Sequence, residues 1–322
     1  MRTSLVMPTW NAGPLLDEVL AAILALKEAR FDELIAIDSG STDGTQERLR
    51  GAGFDVEVIP QSEFDHGSTR DRGIQKATGD ICILLVQDAT LVGSDWLAKM
   101  LAPFVEDEVA GAWCRQVPRT NCQPILKRRI LGWPGRGEVL SKRQLATGCD
   151  LSSLPPMEQL LTCAFDNVAS AIRRTVWERF PFGPRRFGED IFFGKRVIQA
   201  GFAIAHQGEA EVVHSHDRSA WAEGKRTFCD HRNLSQLFGL VGIPTRQALK
   251  KGIVQCTEEH VTYVRGLKLS DEEEGQAIKW TIDYCRWQCW GQYLGARAGL
   301  ARGRLRSGFY RWLGRRLERG VG

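Results

Sequence analysis

The most constraining feature of this sequence is a continuous apolar run, Ile81–Val86, which is followed by Gln87-Asp88-Ala89. A run of this length without polar alternation is typical of a strand buried on both faces of a parallel sheet. In open α/β sheets, ligands bind beyond the carboxyl ends of the parallel strands. Asp88 is therefore predicted to lie where a carboxylate can hold a divalent cation, and the cation a diphosphate. The alternative is that Asp88 caps the helix predicted around Trp96–Val105, because Asp is a favoured cap residue.

Strands and helices are predicted to alternate along the first 110 residues. Short apolar runs are separated by segments with the apolar spacing of amphipathic helices. This alternation predicts a parallel, doubly wound sheet, with Asp38 and Asp88 ending two adjacent strands at one rim. The predicted strands are Ser4–Thr9, Glu33–Asp38, Phe54–Ile59 and Ile81–Val86, and the predicted helices are Pro14–Arg30, Gln46–Gly51 and Gly67–Ala77.

The pattern becomes less regular after residue 110. The segment Thr120–Gln159, which contains the turn-like Trp133–Gly137, is expected to form a flexible lid or acceptor loop. Beyond Trp221 the chain is predicted to be helical to its end. The elements expected between these segments are a strand at Val109–Pro118, helical order over Phe165–Arg179, a helix at Ile191–Ala200, and edge strands at Ala203–His206 and Ala210–His216.

Composition narrows the class of protein. The chain has 322 residues, with 43% hydrophobic and 25% charged residues, which fits a soluble globular protein with a substantial core. Its net charge of +4 is too small to indicate nucleic-acid binding. The nine cysteines form no CxxC pair and show no metal-type spacing, so a reducing compartment is expected. Neither a signal peptide nor an apolar stretch of about 18 residues is present, and a cytoplasmic location is therefore predicted.

Two polar segments could contact a nucleotide. Asp38, which begins the turn-rich loop Asp38–Thr45, could accept hydrogen bonds from a base or a ribose hydroxyl, with glycines allowing close approach of the backbone. The alternative is a plain turn in which Thr42 or Asp43 caps the next helix. Arg70, in His66–Asp71, could bind a phosphate through two N–H groups. The alternative there is a surface ion pair at the start of a helix.

Two further segments could take part in catalysis. Glu189-Asp190 precedes a predicted helix, where a carboxylate could accept a proton from an attacking hydroxyl or could simply cap the helix. Gly183 and Gly188 would allow this loop to move. In His214-Ser215-His216, one imidazole could complete a metal shell with Asp88, although buried histidines are more often structural. Strand alternation would place both histidines on one face, too close together to reach one ion without distortion.

The C-terminal region is rich in arginine and tryptophan. Such a mixture suits an anionic membrane surface. The alternative is a solvated helical face with the tryptophans packed inward. The residues in question are Trp280, Trp287, Trp290, Trp312, Arg297, Arg302, Arg304, Arg306, Arg311, Arg315, Arg316 and Arg319.

Taken in order, five segments resemble the family 2 inverting glycosyltransferases, and most closely their rhamnosyltransferase branch, over about residues 3–220. That branch typically shows an HGxTRN-like segment, a QDA triplet and an HSH segment. The segments that show the resemblance are Val6–Asn11, Ile37–Thr45, His66–Arg70, Gln87–Ala89 and Gly188–Asp190.

The resemblance implies a GT-A fold, a Rossmann-like, mostly parallel sheet with helices on both faces. Residues 1–110 would form the nucleotide half and residues 111–220 the acceptor and metal half, and residues 221–322 would add a helical, basic extension. Asp190 would be the general base, with Glu189 beside it. Mg²⁺ or Mn²⁺ would bind at Asp88 with His214 or His216. The implied nucleotide-sugar contacts are Pro8, Thr9, Asn11, Asp38, Asp43, Arg70, Gly73, Gln87 and Asp88, and the implied acceptor contacts are Asp166 and Asn167, with Arg173 and Arg174 nearby.

The sequence departs from the family pattern at two positions. Gln87 replaces the first acid of the DxD metal motif, so metal affinity would depend on one carboxylate and the diphosphate. Asp71 stands where the branch usually has Asn after the Arg of its HGxTRN segment, which affects the expected phosphate contact.

The expected function is therefore transfer of a sugar from a nucleotide sugar, dTDP-rhamnose first and a UDP-sugar second. The acceptor would be a glycan, carried on lipid, in cell-surface polysaccharide synthesis, at or near the inner face of the membrane. A nucleotidyltransferase would usually carry a Gly-rich loop with a basic residue after the first strand, which Pro8–Asn11 is not. A non-enzymatic RNA-binding protein is the third alternative, but aromatic stacking platforms on the sheet are not evident.

Overall fold

The computed structural model describes residues 1–133, 137, 139–301 and 304–318. The middle of the predicted turn, at Pro134–Arg136, lies outside these residues, as do Arg302 and Arg319 of the basic tail. The chain divides into two compact units. Unit 1 comprises residues 1–119 and 130–215, and unit 2 comprises residues 120–129 and 216–322.

Within the described residues of unit 1, nine strands form one sheet in the order β3-β2-β1-β4-β8-β6-β9-β5, with β7 paired to β9. The strands are β1 Thr3–Thr9, β2 Glu33–Asp38, β3 Asp55–Val58, β4 Ile81–Leu85, β5 Thr90–Val92, β6 Val109–Val117, β7 Leu140–Arg143, β8 Ala169–Arg173 and β9 Ala203–Val213. The α-helices of unit 1 are α1 Leu15–Leu24, α2 Thr45–Gly51, α3 His66–Lys76, α4 Trp96–Leu101, α6 Pro156–Thr162, α7 Arg174–Arg179 and α8 Glu189–Gln199, and α5 Pro124–Leu131 spans the boundary between the units.

The first four strands confirm the predicted parallel half. β3, β2, β1 and β4 are all parallel, and the run Ile81–Leu85 is buried along its whole length. Asp38 ends β2 directly opposite Thr9 of β1. Asp38 and Asp88 are at the same rim of the sheet, as expected. Their strands are not adjacent, however, because β1 lies between β2 and β4.

The helical order expected over Phe165–Arg179 is wrong for the middle of that segment. Ala169–Arg173 forms β8, which is antiparallel to both β4 and β6, and a helix begins only at Arg174. Four of the five β8 residues are buried. A strand covered on both faces has no period-2 pattern, so its apolar residues cannot be distinguished from a helical stripe by spacing alone.

The two edge strands predicted at Ala203–His206 and Ala210–His216 are one strand. β9 runs from Ala203 to Val213 inside the sheet, between β6 and β5. Its register against β6 shifts between Gln207 and Glu211, where polar residues break the apolar run. This irregularity explains why the sequence suggests two strands. Because β9 ends at Val213, His214–His216 follow the strand and do not alternate across it.

Unit 2 confirms the predicted helical C-terminal region. Its long helices are α9 Ala220–Phe238, α10 Arg246–Arg265, α11 Asp271–Gly299 and α12 Arg304–Leu317. The start of α11 has a capping box formed by Ser270 and Glu273, which satisfies backbone donors of its first turn. A side chain at Gly291 of α11 would lie 2.6 Å from the carbonyl of Gly224 in α9, so these two helices approach with backbone almost in contact.

Candidate active site

Asp38 organises the loop that follows β2. Its carboxylate has no exposed surface and accepts hydrogen bonds from Thr9 Oγ1 at 2.9 Å and from Ser41 Oγ at 2.6 Å. The amides of Gly40 and Ser41 and Nε2 of Gln46 donate to its other oxygen. These five donors satisfy the hydrogen-bonding capacity of the buried carboxylate and fix its position. In this conformation Asp38 shapes the loop, and a direct contact with a base or ribose stays a prediction.

The loop after β1 is joined to the loop after β2. Asn11, at φ +41°, donates its amide to Ser41 Oγ at 2.8 Å and accepts the amide of Thr42 at 2.9 Å. Asp43 accepts the amide of Gly13 at 3.0 Å, and its hydrogen bond from the Thr45 hydroxyl lowers its pKa. The predicted nucleotide residues of both loops therefore form one hydrogen-bonded surface at the rim.

Pro8 and Gly73, which were predicted to contact the nucleotide sugar, have contacts within the sheet and between the sheet and α3. Pro8 is a half-buried β1 residue paired in register with Ile37. A side chain at Gly73 would lie 2.3 Å from Cγ1 of Val6, so Gly73 lets α3 lie directly against β1. Both positions shape the surface beneath the loops. Whether either contacts nucleotide stays a prediction.

Gln87 has a specific partner in the folded chain. Its Oε1 accepts the amide of Trp10 at 2.8 Å, and its Nε2 donates to the carbonyl of Trp10 at 3.1 Å. Only a side chain with both a donor and an acceptor can make this pair, and a carboxylate cannot. Gln87 therefore fixes the β1 loop to the end of β4, next to Asp88. This contact gives a physical reason for Gln at the position where DxD motifs carry their first acid.

A chain of polar contacts leads from Asp88 to the acids on the other side of the rim. His214 Nε2 is 3.6 Å from Asp88 Oδ1, and His214 Nδ1 is 3.0 Å from Gln116 Oε1. Gln116 Nε2 in turn donates to Asp166 Oδ2 at 2.5 Å. Because an ionised carboxylate only accepts, the Gln116 amide is oriented with its oxygen towards His214. Gln116 Oε1 then requires a proton on His214 Nδ1, which leaves Nε2 with a lone pair directed towards Asp88.

Asp88 and His214 both belong to unit 1, and their ligand atoms, Asp88 Oδ1 and His214 Nε2, lie 3.6 Å apart. His216 belongs to unit 2, and its part in the same cation site stays a prediction. The expected alternation of the two histidines across a strand is wrong, because the segment follows β9. Neighbouring ligands of an octahedral ion lie about 3 Å apart. The residues therefore fit a divalent cation that has a mixed oxygen and nitrogen ligand set.

Arg119 was missed by sequence reasoning. Its guanidinium donates to the carbonyl of Asp88 at 3.2 Å and to Thr90 Oγ1 at 3.3 Å, and pairs with Glu18 at 3.1 Å. Its amide also donates to Ser215 Oγ at 3.1 Å. Arg119 therefore holds the Asp88 turn close to the histidine segment. Neither Arg119 nor Gln116 belongs to a local motif, and only the ends of β6 and β9 bring them to the site.

Glu189 and Arg70 form a buried pair. Their side chains are 7% and 5% exposed, with Arg70 Nη1 3.3 Å from Glu189 Oε1. Asn167 Nδ2 donates to the same Glu189 oxygen at 3.2 Å, and Ser170 donates to Asn167 Oδ1 at 2.9 Å. Burial alone would favour a neutral Glu189, but Arg70, His66 and the Asn167 hydrogen bond together lower its pKa. The predicted phosphate clamp and acceptor residue are thus joined in one ionised cluster.

Asp190 is the half-buried acid beside this cluster. Burial raises its pKa well above the usual Asp value, and repulsion from Glu189 and Asp166 raises it further. A carboxyl group with raised proton affinity is suited to general-base catalysis near neutral pH. The structure therefore distinguishes two acids that are adjacent in sequence. Glu189 has the properties of a fixed charge, and Asp190 those of a proton acceptor.

Asp71, Arg173 and Arg174 do not face these acids. Asp71 accepts hydrogen bonds from Trp177 Nε1 at 2.6 Å and from the amides of Phe182 and Gly183 at 3.0 and 2.7 Å. It therefore supports the loop before α8. Arg173 pairs in register with Ile81, at the start of β4, and so lies at the opposite rim from Asp88. Arg174 also binds there, to the carbonyl of Gly79, and the expectation that Arg173 and Arg174 lie near the acceptor contacts is wrong.

Comparison with known proteins identifies the kind of site. Residues 4–150 match Glycosyl transferase family 2. The chain is 32% identical over 235 residues to the O-antigen chain rhamnosyltransferase RfbN of Salmonella typhimurium, covering 71% of each chain. It is 31% identical over 229 residues to the O-antigen chain rhamnosyltransferase WbaN of Salmonella anatum, covering 70% of each.

A solved structure confirms the predicted GT-A fold. Glucosyl-3-phosphoglycerate synthase of Mycobacterium tuberculosis, in complex with Mn²⁺, UDP-glucose and phosphoglyceric acid, is similar with a TM-score of 0.51. The match covers 76% of this chain and 82% of that chain, at 20% sequence identity. Among the residues described, no helix is both long enough and apolar enough to cross a membrane.

Proposed function

This chain belongs to glycosyl transferase family 2, and from that premise we propose that it is an inverting, metal-dependent rhamnosyltransferase. Its donor is dTDP-rhamnose, and its acceptor is a growing lipid-linked glycan of a cell-surface polysaccharide. The observation that carries the proposal is the chain of polar contacts from Asp88 through His214 and Gln116 to Asp166, which lies beside Asp190. This chain would join the proposed cation site to the proposed base on one rim of the sheet. The two rhamnosyltransferase relatives support the choice of sugar.

The cation site is proposed to contain Asp88 and His214. A bound divalent cation would neutralise the diphosphate leaving group. A carboxylate and an imidazole suit Mn²⁺ better than Mg²⁺, which prefers oxygen ligands alone. Gln116 orients His214 through its ring Nδ1, and Arg119 holds the backbone of Asp88.

Asp190 is proposed to take the proton from the acceptor hydroxyl. The hydroxyl oxygen then bonds to the anomeric carbon as the bond from that carbon to the diphosphate oxygen breaks on the opposite face, which inverts the anomeric centre. Glu189 stays ionised through Arg70 and keeps the proton affinity of Asp190 high. Asn167 fixes Glu189, and the two nucleotide loops joined by Asn11 and Asp43 form the floor for the nucleoside.

Peripheral membrane binding is proposed for unit 2. Two of its tryptophans pack inward, since Trp280 stacks on Tyr284 and Trp287 contacts Trp221. The others are exposed, with Trp290 37% and Trp312 47% exposed. On α12, Phe309 stacks on Trp312 and Arg316 lies over the Trp312 ring, an aromatic and cationic surface suited to anionic headgroups. Trp312→Ser should reduce flotation with anionic vesicles at low salt, whereas equal flotation would refute this proposal.

A donor screen tests the main proposal. Purified chain is mixed with Mn²⁺ and dTDP-rhamnose, UDP-sugars or GDP-sugars, and thermal stability and transfer to a glycan acceptor are measured. We expect dTDP-rhamnose to stabilise the protein most, and the product to have inverted anomeric configuration by NMR. Asp190→Asn serves as the control that binds donor without transfer. Preference for a UDP-sugar would establish the alternative donor, and absence of binding to every nucleotide sugar would overturn the proposal.

A further inference from the structure

A second group of metal-type ligands lies entirely within unit 2. Cys256 and His260 are one turn apart on α10, and Cys285 and Cys289 are one turn apart on α11, so each pair shares one helix face. The ligand atoms of Cys256, His260 and Cys285 lie within 4.8 Å of one another. The expectation that the cysteines show no metal-type spacing considered CxxC pairs and not the helical i, i+4 spacing.

Cys289 belongs to the same cluster. The half-buried Cys256 packs against the buried cluster that contains Cys289. A side chain built at Gly252, one turn before Cys256 on α10, would lie 3.9 Å from Cys289 Sγ. The Cys289 sulfur therefore faces α10 at the level of this turn. The ligand atoms of Cys256, His260 and Cys285 therefore form one group between the two helices, and Cys289 lies beside it on α11.

We propose that Cys256, His260, Cys285 and Cys289 bind one Zn²⁺ ion that joins α10 to α11. The donor set of three thiolates and one imidazole is one that structural zinc sites use. Soft sulfur ligands in a four-fold set favour Zn²⁺ over Mg²⁺ or Mn²⁺. The ligands of this site differ in kind from those proposed around Asp88, which are carboxylate and imidazole groups.

The distances agree with a tetrahedral ion. With Zn–S bonds of about 2.3 Å and Zn–N bonds of about 2.0–2.1 Å, a tetrahedron separates sulfur from nitrogen by about 3.6 Å. Cys256 Sγ is 3.8 Å from His260 Nδ1. The helices therefore already hold this pair near the spacing that a shared ion requires, and binding needs little rearrangement.

The surroundings indicate a structural ion. Cys285 is fully buried and Cys289 is 4% exposed, and the cluster adjoins the apolar residues Leu249 and Tyr293. Four protein ligands in a closed setting leave no position for substrate, which is the usual distinction between structural and catalytic zinc.

Metal analysis of the purified full-length chain tests this proposal. The protein is produced without a metal-binding tag, gel-filtered and measured by plasma mass spectrometry. We expect about one zinc per chain. Cys285→Ser and His260→Ala should reduce the bound zinc to less than about half per chain. Cys149→Ser, at an exposed cysteine of unit 1, and Cys229→Ser, at a buried cysteine of α9, should keep it.

Two further measurements keep the test decisive if Cys285→Ser does not fold. Removing zinc with a chelator should lower the Tm of the wild type but not that of His260→Ala, whose half-exposed ring is not needed for the core. Co²⁺ should restore the wild-type Tm and give the visible absorption of a tetrahedral thiolate complex. Reduced, folded protein that contains less than about a tenth of a zinc per chain and takes up no Co²⁺ would overturn the proposal. A disulfide between Cys256 and Cys285 found by mass spectrometry in the freshly purified protein would overturn it as well.

Discussion

Replacing Gln116 by Leu should weaken cation binding at Asp88 without touching a cation ligand. Gln116 is 7% exposed and bridges His214 and Asp166 through bonds of 3.0 and 2.5 Å. Leucine has similar volume but can neither accept the His214 Nδ1 proton nor donate to Asp166. His214 would then lose the contact that fixes its tautomer, so its Nε2 would carry a lone pair in only part of the population.

The size of the effect follows from two separate losses. Removing a partner that orients a metal-binding histidine typically lowers metal affinity by about 10–100-fold, which corresponds to about 1.4–2.7 kcal/mol of binding free energy. The free energy of unfolding should also fall, because Asp166 loses a charge-assisted hydrogen bond of about 1.5–3 kcal/mol and His214 loses one of about 1 kcal/mol. We therefore expect a destabilised but folded variant with a specific defect in Mn²⁺ affinity.

Mn²⁺ titration followed by electron paramagnetic resonance measures free ion directly, with and without the nucleoside diphosphate. Urea unfolding, measured on the same samples, provides the stability change. Gln144→Leu is the matched control, since Gln144 is an exposed residue of unit 1 that donates one hydrogen bond, to the carbonyl of Gly201. If folded Gln116→Leu binds Mn²⁺ as tightly as Gln144→Leu, the orientation of His214 by Gln116 has no role in cation binding.

Three other substitutions test the remaining assignments. Asp190→Asn should lower kcat by about 10²–10⁴-fold while leaving nucleotide affinity intact. In the wild type, kcat should fall as pH decreases through the raised pKa of Asp190, because the protonated carboxyl cannot act as a base. The same raised pKa means that the folded protein loses stability as pH rises from the ordinary Asp range through that pKa. If the stability of Asp190→Asn changes with pH as steeply as that of the wild type, the assignment of a raised pKa to Asp190 is contradicted. Gln87→Glu removes the donor to the Trp10 carbonyl and should raise KM for the nucleotide sugar by up to about tenfold, whereas unchanged kinetics would show that the β1 loop does not need this anchor. Asp71→Asn should cost about 1–3 kcal/mol of unfolding free energy in urea titrations and leave the activity of the folded fraction unchanged, and a selective loss of donor binding would restore Asp71 to the phosphate site.

The parallel half of the sheet was predictable because its evidence is local. Three strands of this half, β1, β2 and β4, are short and mainly apolar, and β2 begins and ends at the predicted residues, Glu33 and Asp38. β8 was not predictable from spacing, because its burial comes from β4 and β6, which are far away in the sequence. The long first helix was also overestimated, since α1 ends at Leu24 while apolar residues continue into the following loop.

The candidate site was predictable only where a residue belongs to a motif. Asp88 follows a strand and Asp190 lies at the start of a helix, and sequence patterns predict both kinds of position. Gln116 and Arg119 lie at the end of β6, and they meet Asp166 and Asp88 only because β6 pairs with both β8 and β9. Likewise, the cysteine and histidine pairs of unit 2 are 25 residues or more apart in sequence, and only the packing of two helices brings them together.

Glu189 and Asp190 show why adjacent residues can have opposite roles. Sequence position gives both the same alternatives, because each lies in the first turn of α8. The fold places Arg70 and Asn167 against Glu189, which makes its negative charge permanent near neutral pH. Burial, and after it the fixed charge of Glu189, make ionisation of Asp190 unfavourable. Part of the proton affinity of Asp190, the proposed base, therefore comes from its neighbour, and any change that removes the Arg70 contact should alter the proton affinity of both acids together.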